Sequence, residues 1–388
     1  MVYPRMLRIR QRLSDLREED IPGATRREMA KLDLASKVKQ GESIAISAGS
    51  RGVVNINLVL RTLVEEFQAM GAKPFIFPAM GSHGGATAEG QRAVLAHYGV
   101  TEQSMGCPIR ATMESVQIGV SDDGIPVHLD RHAAQADHVV VVNRVKPHTD
   151  FKGEIESGLM KMTLIGMGKW HGAAIYHRAF VDYGFDRIVR SVSRVVAERA
   201  KLLCGIALIE NGYDQTARIL GVLPRELVER ERKLLKEAKA LMAKLPFDEI
   251  DVLIVDRMGK DISGTGMDTN VIGRIYNFVT PEPERPKIKR IFVRDLTEET
   301  MGNAIGIGLA DVTVKRLVDK MDRKATYVNA ITGITPEKAR LPMYYETDRE
   351  ALDVALSTIG LTEPQRARVI WISTVSYTHL RAHETVLD

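Results

Sequence analysis

The sequence is poor in cysteine, in net charge and in long apolar runs. Among its 388 residues only Cys107 and Cys204 are cysteines, and they form no CxxC pair. A disulfide framework and a thiolate cluster are therefore not expected, and a cytoplasmic setting is favoured. The formal charge of +4 is too small to indicate nucleic-acid binding. Apolar runs such as Val139–Val142 are far shorter than the roughly 20 residues that span a bilayer, and the charged N-terminus lacks the apolar core of a signal peptide.

What the sequence does contain is the composition of an ordinary globular protein. Apolar residues make up 44% and charged residues 27%, close to the average for soluble domains. This composition excludes a disordered chain, a collagen and a low-complexity scaffold. The length is sufficient for two or three domains, each with its own core.

Short apolar runs, each followed by a turn that holds glycine or polar residues, predict the strands of the first domain. The predicted strands are Ser43–Ser47, Pro74–Pro78, His138–Val142 and Ile206–Ile209. Helical spacing of apolar residues follows the first run over Val54–Met70, and Thr87 is a plausible N-cap for a helix that reaches His97. Strands that alternate with helices predict an α/β fold with a mainly parallel sheet flanked by helices.

A charged amphipathic helix is predicted over Glu226–Lys244, and Pro246 ends it. A new α/β pattern follows, with predicted strands at Ile250–Val255 and Lys289–Val293. We therefore expect two α/β domains, an N-terminal catalytic and cofactor domain over 1–246 and a C-terminal domain over 247–374. The active-site crevice is expected between them.

The last residues, 375–388, resemble a translated sequencing adapter. The string Val-Ser-Tyr-Thr-His-Leu-Arg-Ala-His-Glu-Thr interrupts a β-rich run that ends near Ser373. We expect an artefactual tail that packs against nothing, preceded by a truncated C-terminal domain. His379 and His383 are left out of the site for this reason.

Three polar residues lie in segments just after predicted strands: Arg51, His83 and His148. Turns after the carboxyl ends of parallel strands gather along one edge of the sheet, where ligands bind, so these residues are predicted to line one crevice. Lys161 lies nearby, before the apolar run 162–168. A lysine in such surroundings can be desolvated and become nucleophilic.

The residues alone leave several interpretations of this segment open. Histidines of the first domain could form a hydrolytic zinc site, although no HExxH or HxH pair occurs. The turns GSRG and GSHGGAT could bind a nucleotide phosphate at helix N-termini. They could also be tight turns that need glycine only for its conformational freedom.

Taken in order, these motifs resemble the nickel-dependent lactate racemase family, in a short and less characterised branch. The resemblance covers residues 40–375. It lies in Arg51 within AGSRG, His83 in a GxH turn, the Pro147–His148 pair and the element Ser157-Gly-Leu-Met-Lys161. A histidine, His177, follows Lys161 at the family interval of sixteen residues.

The resemblance implies a nickel pincer nucleotide as cofactor, a pyridinium mononucleotide whose two thiocarboxyl sulfurs and ring carbon hold nickel. It implies that Lys161 tethers this cofactor covalently, that Ser157 and Gly158 help to bind it, and that His177 is the fourth nickel ligand. His171 is the rival for the metal, since imidazole nitrogen suits nickel at either position.

The activity implied is racemisation or epimerisation of a 2-hydroxy acid by proton-coupled hydride transfer. Removal of hydride leaves a neutral ketone, whereas removal of a proton would place a carbanion beside a carboxylate. His83 and His148 would be the general acid/base groups for the two faces of the substrate, and Arg51 would bind its carboxylate.

Departures from the family pattern leave the substrate open. Ala48 stands where the lactate enzyme has an aspartate, and Ile272-Gly273 stands where it has Tyr-Gln. The turn Ser263–Asn270 does match a second-domain motif, and Lys260 and Arg274 are the nearby cations that could recognise a different acid.

The partners implied are a small 2-hydroxy acid and the proteins that synthesise the cofactor, with no nucleic acid and no membrane; a homo-oligomer is left open. A zinc-type hydrolase and a non-catalytic cofactor-binding homologue remain as alternatives.

Overall fold

The structure is a computed structural model that describes residues 1–50 and 52–375. These residues form two compact units. The N-terminal unit comprises 15–147 and 152–241, and the C-terminal unit comprises 1–14, 148–151 and the described residues from Met242 onward. Arg51 and the segment 376–388, for which the sequence makes predictions, lie outside the described residues.

The N-terminal unit contains seven strands and nine helices. The strands are β1 (Ser43–Ala48), β2 (Lys73–Pro78), β3 (Ser115–Val120), β4 (Pro126–Asp130), β5 (His138–Arg144), β6 (Leu202–Glu210) and β7 (Thr216–Val222). The helices are α1 (Ile21–Ala30), α2 (Ile56–Ala69), α3 (Ala88–His97), α4 (Glu102–Met105), α5 (Arg131–Gln135), α6 (Leu159–Lys161), α7 (Lys169–Tyr183), α8 (Phe185–Arg199) and α9 (Leu227–Leu241).

A five-stranded sheet in the order β2-β1-β5-β6-β7 organises this unit. The first four strands run parallel, and β7 pairs antiparallel with β6. The strand β5 is apolar without alternation because both of its faces are covered, and Val139–Val142 are buried. The parallel arrangement places the carboxyl ends of β1, β2, β5 and β6 at one edge of the sheet.

The predicted α/β class is confirmed. Strands occur at all the runs named above, and Thr87 caps α3 by accepting a hydrogen bond from the Gly90 N–H. The β3-β4 hairpin, which forms a separate two-stranded sheet, was not predicted from the sequence. Most side chains of β3 are at least partly exposed, so this strand lacks the buried apolar run by which the others are recognised.

The C-terminal unit is a second α/β structure. Its strands are β8 (Glu249–Met258), β9 (Lys287–Leu296), β10 (Val312–Val314), β11 (Met343–Tyr345) and β12 (Val369–Ile372). Its helices are α10 (Thr269–Ile272), α11 (Lys315–Lys320), α12 (Arg323–Thr332) and α13 (Asp348–Ser357). The strand order is β11-β10-β9-β8-β12, and every pair is parallel.

The expectation that residues from 375 onward pack against nothing is wrong at Val375. Its side chain is fully buried in the apolar core of the C-terminal unit, where Ile372 is also found. The Val375 carbonyl accepts a hydrogen bond of 3.3 Å from the Asp268 N–H. Val375 lies three residues beyond β12, close enough for its apolar side chain to complete the core that Ile372 enters.

In the described part of the chain, no helix combines the length and the apolar character needed to cross a membrane.

The helix α2 offers a test of the core of the N-terminal unit. Phe67 is fully buried on its inner face, while Leu58 on the same helix is 39% exposed. Phe67→Ala should lower the free energy of unfolding of this unit by about 3–5 kcal/mol, because it leaves a cavity. Leu58→Ala, the matched control, should cost less than about 1 kcal/mol in the same urea titration. Equal losses for the two variants would contradict the packing described.

Candidate functional site

The turns after β1 and β2 begin side by side at the carboxyl edge of the N-terminal sheet. Ala48 and Pro78, the last residues of the two strands, are partners in the parallel register. The Ala79 N–H continues the pairing with a hydrogen bond of 2.8 Å to the Ala48 carbonyl. The turn that begins at Gly49 and the turn that contains His83 therefore leave the sheet as neighbours.

Lys161 lies at the end of the helical turn α6 and is partly buried. The chain continues through a π-helical segment, Met162–Gly166, before α7 begins. Such wide helical turns are rare, and they are frequent at functional sites. Lys161 thus directly precedes a rare type of helical backbone. Its side chain is partly buried, and the residues that follow it are mostly buried.

Glycines allow this π-helical segment to press directly on both turns. A Cβ atom added at Gly49 would lie 2.9 Å from Met162 Cε, and one at Gly166 would lie 2.7 Å from the Ala79 carbonyl oxygen. A Cβ at Gly81 would lie 3.2 Å from Ala173 Cβ. At Gly166 the contact is with a backbone oxygen and is closer than real Cβ atoms come, so this position needs glycine. The contact at Gly81 would be tight, and the one at Gly49 is with the flexible end of the Met162 side chain. The segment after Lys161 is therefore seated on the turns that carry two of the predicted site residues.

A buried network of polar side chains holds the backbone of the turn that contains His83. The Gln91 side chain donates from Nε2 to the carbonyls of Met80 (2.8 Å) and Gly81 (3.1 Å). Gln91 Oε1 in turn accepts a hydrogen bond of 2.6 Å from Lys169 Nζ, which also donates to the Pro78 carbonyl at 2.7 Å. His83 itself is partly buried.

Lys169 is the centre of this network and is fully buried. Its Nζ lies 3.6 Å from Asp130 Oδ2, whose partner oxygen accepts the N–H groups of His132 and Ala133. Burial lowers the pKa of Lys169 and raises that of Asp130, and their mutual attraction opposes both shifts. Sequence reasoning missed all three side chains of the network, because nothing local distinguishes a buried lysine from a surface one.

His148 belongs to the C-terminal unit. Its Nδ1 atom accepts hydrogen bonds from the N–H groups of Asp150 (2.9 Å) and Phe151 (3.3 Å). Because a ring nitrogen that accepts carries no proton, the neutral imidazole must bear its proton on Nε2. Nε2 is therefore the ring atom through which neutral His148 can donate a proton or a hydrogen bond.

The turn that resembles the family's second-domain motif holds the backbone of this segment. Asn270 Nδ2 donates to the His148 carbonyl at 3.2 Å, and Thr269 Oγ1 donates to the Thr149 carbonyl at 2.6 Å. Asp268 orients Asn270 by accepting from its backbone and side-chain N–H groups, each at 2.9 Å. The next residue of the segment, Asp150, pairs with the fully buried Lys338.

The two candidate metal ligands lie on α7, six residues apart and so on different sides of the helix. His177 is partly buried, with its ring 5.8 Å from that of Phe180. His171 is exposed and packs edge-on against His128 at 4.5 Å. Burial, and secondarily His171, lowers the pKa of His128. Of the two rivals, His177 is on the more shielded side.

The predicted cofactor-binding pair, Ser157 and Gly158, is fixed by main-chain bonds. Ser157 exchanges two backbone hydrogen bonds with Lys146, of 2.9 and 3.2 Å. The Gly158 carbonyl accepts a bond of 2.8 Å from Asn143 Nδ2. The strip leading to Lys161 is thus attached to the end of β5.

The two predicted second-domain cations have internal partners. Arg274 is buried, and it donates from Nη1 to Asp311 and the Leu309 carbonyl and from Nη2 to the carbonyls of Ile288 and Lys289. These bonds show that Arg274 holds neighbouring segments of its own unit together, and its guanidinium is already occupied by these partners. Lys260 is partly buried, and its Nζ contacts Asn329 Oδ1.

Within residues 1–50 and 52–375, no three or more His, Cys, Asp or Glu side chains come together in a way that could hold a metal ion. A zinc site built from protein ligands alone is therefore not supported by these residues. A metal held mainly by an organic cofactor needs only a single protein ligand.

Comparison with known proteins identifies the domain that carries these residues. Residues 10–184 match the family model described as the lactate racemase N-terminal domain. This part of the chain is therefore similar to the N-terminal domain of lactate racemases. Positions 51, 83, 148, 161 and 177 all lie inside the matched region. The family resemblance stated from the sequence is confirmed.

The fold comparison extends over both units. The structure of the lactate racemase apoprotein from Thermoanaerobacterium thermosaccharolyticum is similar with a TM-score of 0.56 over 92% of this chain and 93% of that chain, at 14% sequence identity. At this identity the similarity shows the shared fold alone. A glycotransferase of kitacinnamycin aligns with a TM-score of only 0.21 and carries no argument. A search of curated proteins found no match.

The Lys169 network predicts a stability effect that a surface lysine lacks. Lys169→Met should lower the free energy of unfolding by about 3 kcal/mol or more, because it leaves the Asp130 carboxyl buried without its partner. Lys233→Met on the exposed face of α9 is the matched control and should stay within about 0.5 kcal/mol of the parent protein. An equally small effect at Lys169 would show that the network does not support the fold.

The His148 geometry predicts its tautomer. Protein labelled with ¹⁵N-histidine should show, for the neutral His148 ring, a protonated Nε2 and an unprotonated Nδ1. The signal is assigned by its loss in His148→Asn. An Nδ1-protonated ring would contradict the hydrogen bonds from Asp150 and Phe151.

Proposed function

We propose that this protein is a racemase or epimerase of a 2-hydroxy acid that works with a nickel pincer nucleotide attached to Lys161. The observation that carries the proposal is the seating of the segment after Lys161 on the turns after β1 and β2. These turns contain the positions that match Arg51 and His83 of the family pattern. The lactate racemase N-terminal domain covers the same residues.

The chemistry of the residues fits such a cofactor. Lys161 is partly buried and is flanked by the buried side chains of Met160 and Met162, which suits a covalent link that water should not reach. Imidazole is a suitable nickel ligand, and His177 is a partly buried imidazole on the next helix. One histidine is sufficient where the cofactor supplies the remaining ligands.

Each further residue has a proposed task toward the substrate. Arg51 would bind the carboxylate through its paired N–H groups. His83 would take the hydroxyl proton as a general base, and His148 would handle the proton for the opposite face of the α-carbon. The bonds at Nδ1 of His148 leave Nε2 as the atom for this task. When bound, the cofactor would supply the hydride acceptor, so that the oxidised substrate is a neutral ketone.

The substrate is proposed only at the level of a 2-hydroxy acid. Ala48, where the lactate enzyme of the family has an aspartate, is the buried last residue of β1 and offers no group to a ligand. Lys260 remains the proposed second-domain cation for the acid.

The test is purification after co-expression with the proteins that synthesise the cofactor, followed by intact mass and metal analysis. The parent protein should carry a covalent adduct and nickel. Lys161→Ala should lose both, whereas the control Lys233→Ala should keep both. His83→Ala should keep the adduct and lose turnover of 2-hydroxy acids, measured by chiral chromatography.

Other outcomes would overturn the proposal. Zinc without an adduct would indicate a metal-dependent hydrolase. Neither metal nor adduct under these conditions would indicate a non-catalytic relative. An adduct that persists in Lys161→Ala would place the attachment at another residue.

A further inference from the structure

The helix α9 buries an acid on its apolar face. Its inward side consists of Leu227, Leu234, Leu235 and Ala238, and Glu231 stands among them with 1% of its surface exposed. A carboxylate in such a position costs free energy unless its oxygens are hydrogen-bonded. Apolar packing does not explain an acid at this position, and Glu231 is not one of the residues of the candidate site.

The Glu231 carboxylate reaches the start of the helical turn that ends in Lys161. Its Oε2 atom accepts a hydrogen bond of 2.9 Å from the Met160 N–H, and the Leu159 N–H also donates to this carboxylate. These N–H groups have no acceptor within the turn, because they precede its first intrahelical bond. Glu231 supplies the acceptor from a different helix.

Gly158 makes this approach possible. A Cβ atom at this position would overlap with Oε1 of Glu231, so any larger residue would displace the carboxylate. Oε1 is buried and has no hydrogen-bond partner among the residues that the structure describes. The glycine of the Ser157-Gly158 element thus has a local physical reason, namely contact with Glu231.

The other end of the turn is fixed as well. The Met160 carbonyl accepts hydrogen bonds from Thr163 Oγ1 (2.7 Å) and Ser193 Oγ (3.3 Å). Both of these hydroxyl groups are buried. The residue directly before Lys161 is therefore held at its N–H by α9 and at its carbonyl by the π-helical segment and α8.

We propose that Glu231 is a positioning residue that fixes the direction of Lys161 by capping the turn Leu159–Lys161. It touches neither substrate nor cofactor, and it acts through the backbone of this turn. The significance of Lys161 as an attachment point rests on the proposed function, whereas the capping itself does not.

Burial raises the pKa of Glu231 to about 7, although its two backbone hydrogen bonds lower it. The apolar surroundings thus disfavour the charged form of Glu231, while the two backbone hydrogen bonds favour it.

The test measures the reactivity of Lys161 in the apoprotein, without any cofactor. Reductive methylation at limiting reagent, with peptide mass spectrometry, gives the labelling rate of Lys161 relative to exposed Lys233. Glu231→Met keeps the volume and removes the acceptor, so the turn should loosen. We expect a rise of at least about fivefold in the relative rate, the factor that corresponds to ~1 kcal/mol for a single lost bond, because Glu231→Met removes the acceptor of two. Glu231→Gln keeps an acceptor oxygen and should restore the parent rate.

Substitutions at Gly158 provide a second, independent test of the proposal. Gly158→Ala should raise the labelling of Lys161 in the parent background, because the new methyl group displaces the carboxylate. In a Glu231→Ala background the same change should have little further effect, since the shortened side chain leaves room. Gly153→Ala, an exposed glycine in the same stretch, is the control and should leave the rate unchanged.

Additive effects of Gly158→Ala and Glu231→Ala would overturn the proposal. So would an unchanged Lys161 rate in Glu231→Met and Gly158→Ala together with a lower melting temperature, since that result would make Glu231 a residue of general stability. If Lys161→Ala retains the adduct in the earlier experiment, the proposed function fails while these apoprotein rates still decide the role of Glu231.

Discussion

The close contact between the segment after Lys161 and two glycine-rich turns is the constraint on which the candidate site depends. Parallel pairing of β1 with β2 makes the two turns neighbours. The missing side chains at Gly49 and Gly166 let the π-helical segment approach them, and the missing side chain at Gly81 lets α7 approach the second turn. An added methyl group at Gly166 would collide with the Ala79 carbonyl oxygen and push the π-helical segment after Lys161 away from the sheet edge. The glycines therefore set how closely the π-helical segment approaches the turns, and the parallel strands set where the turns lie.

Within each unit, polar side chains that are mostly buried take the place of regular secondary structure in fixing loops. Lys169 and Gln91 hold the turn of His83, Asp268 and Asn270 hold the backbone of His148, and Glu231 holds the turn of Lys161. Each uses a charged or amide group to satisfy main-chain atoms that no strand or helix pairs. Such groups are costly to bury, so their presence beside the predicted site residues indicates where the chain requires precise geometry.

The family resemblance and the structure restrict the function to different degrees. The matched domain and the shared fold support a racemase-type protein, but 14% identity leaves room for a different substrate. The differences lie where substrate recognition is expected. Ala48 is apolar and buried, and Arg274 is committed to carbonyls and Asp311 within its own unit. A protein with the same chemistry and another hydroxy acid is consistent with both.

The sequence by itself determined the α/β class of both units, the mainly parallel sheet of the first, the N-cap at Thr87 and the order of the candidate residues along the chain. These features depend on local patterns: apolar runs, helical spacing and glycine-rich turns. The strand β3, the burial of Val375, the internal role of Arg274, the Lys169 network and the cap formed by Glu231 were decided only by the tertiary structure. Except for β3, which pairs with the neighbouring β4, the deciding partner is distant in sequence, as Glu231 is from Met160. A charged residue carries no local mark of whether it will face solvent or a buried backbone N–H.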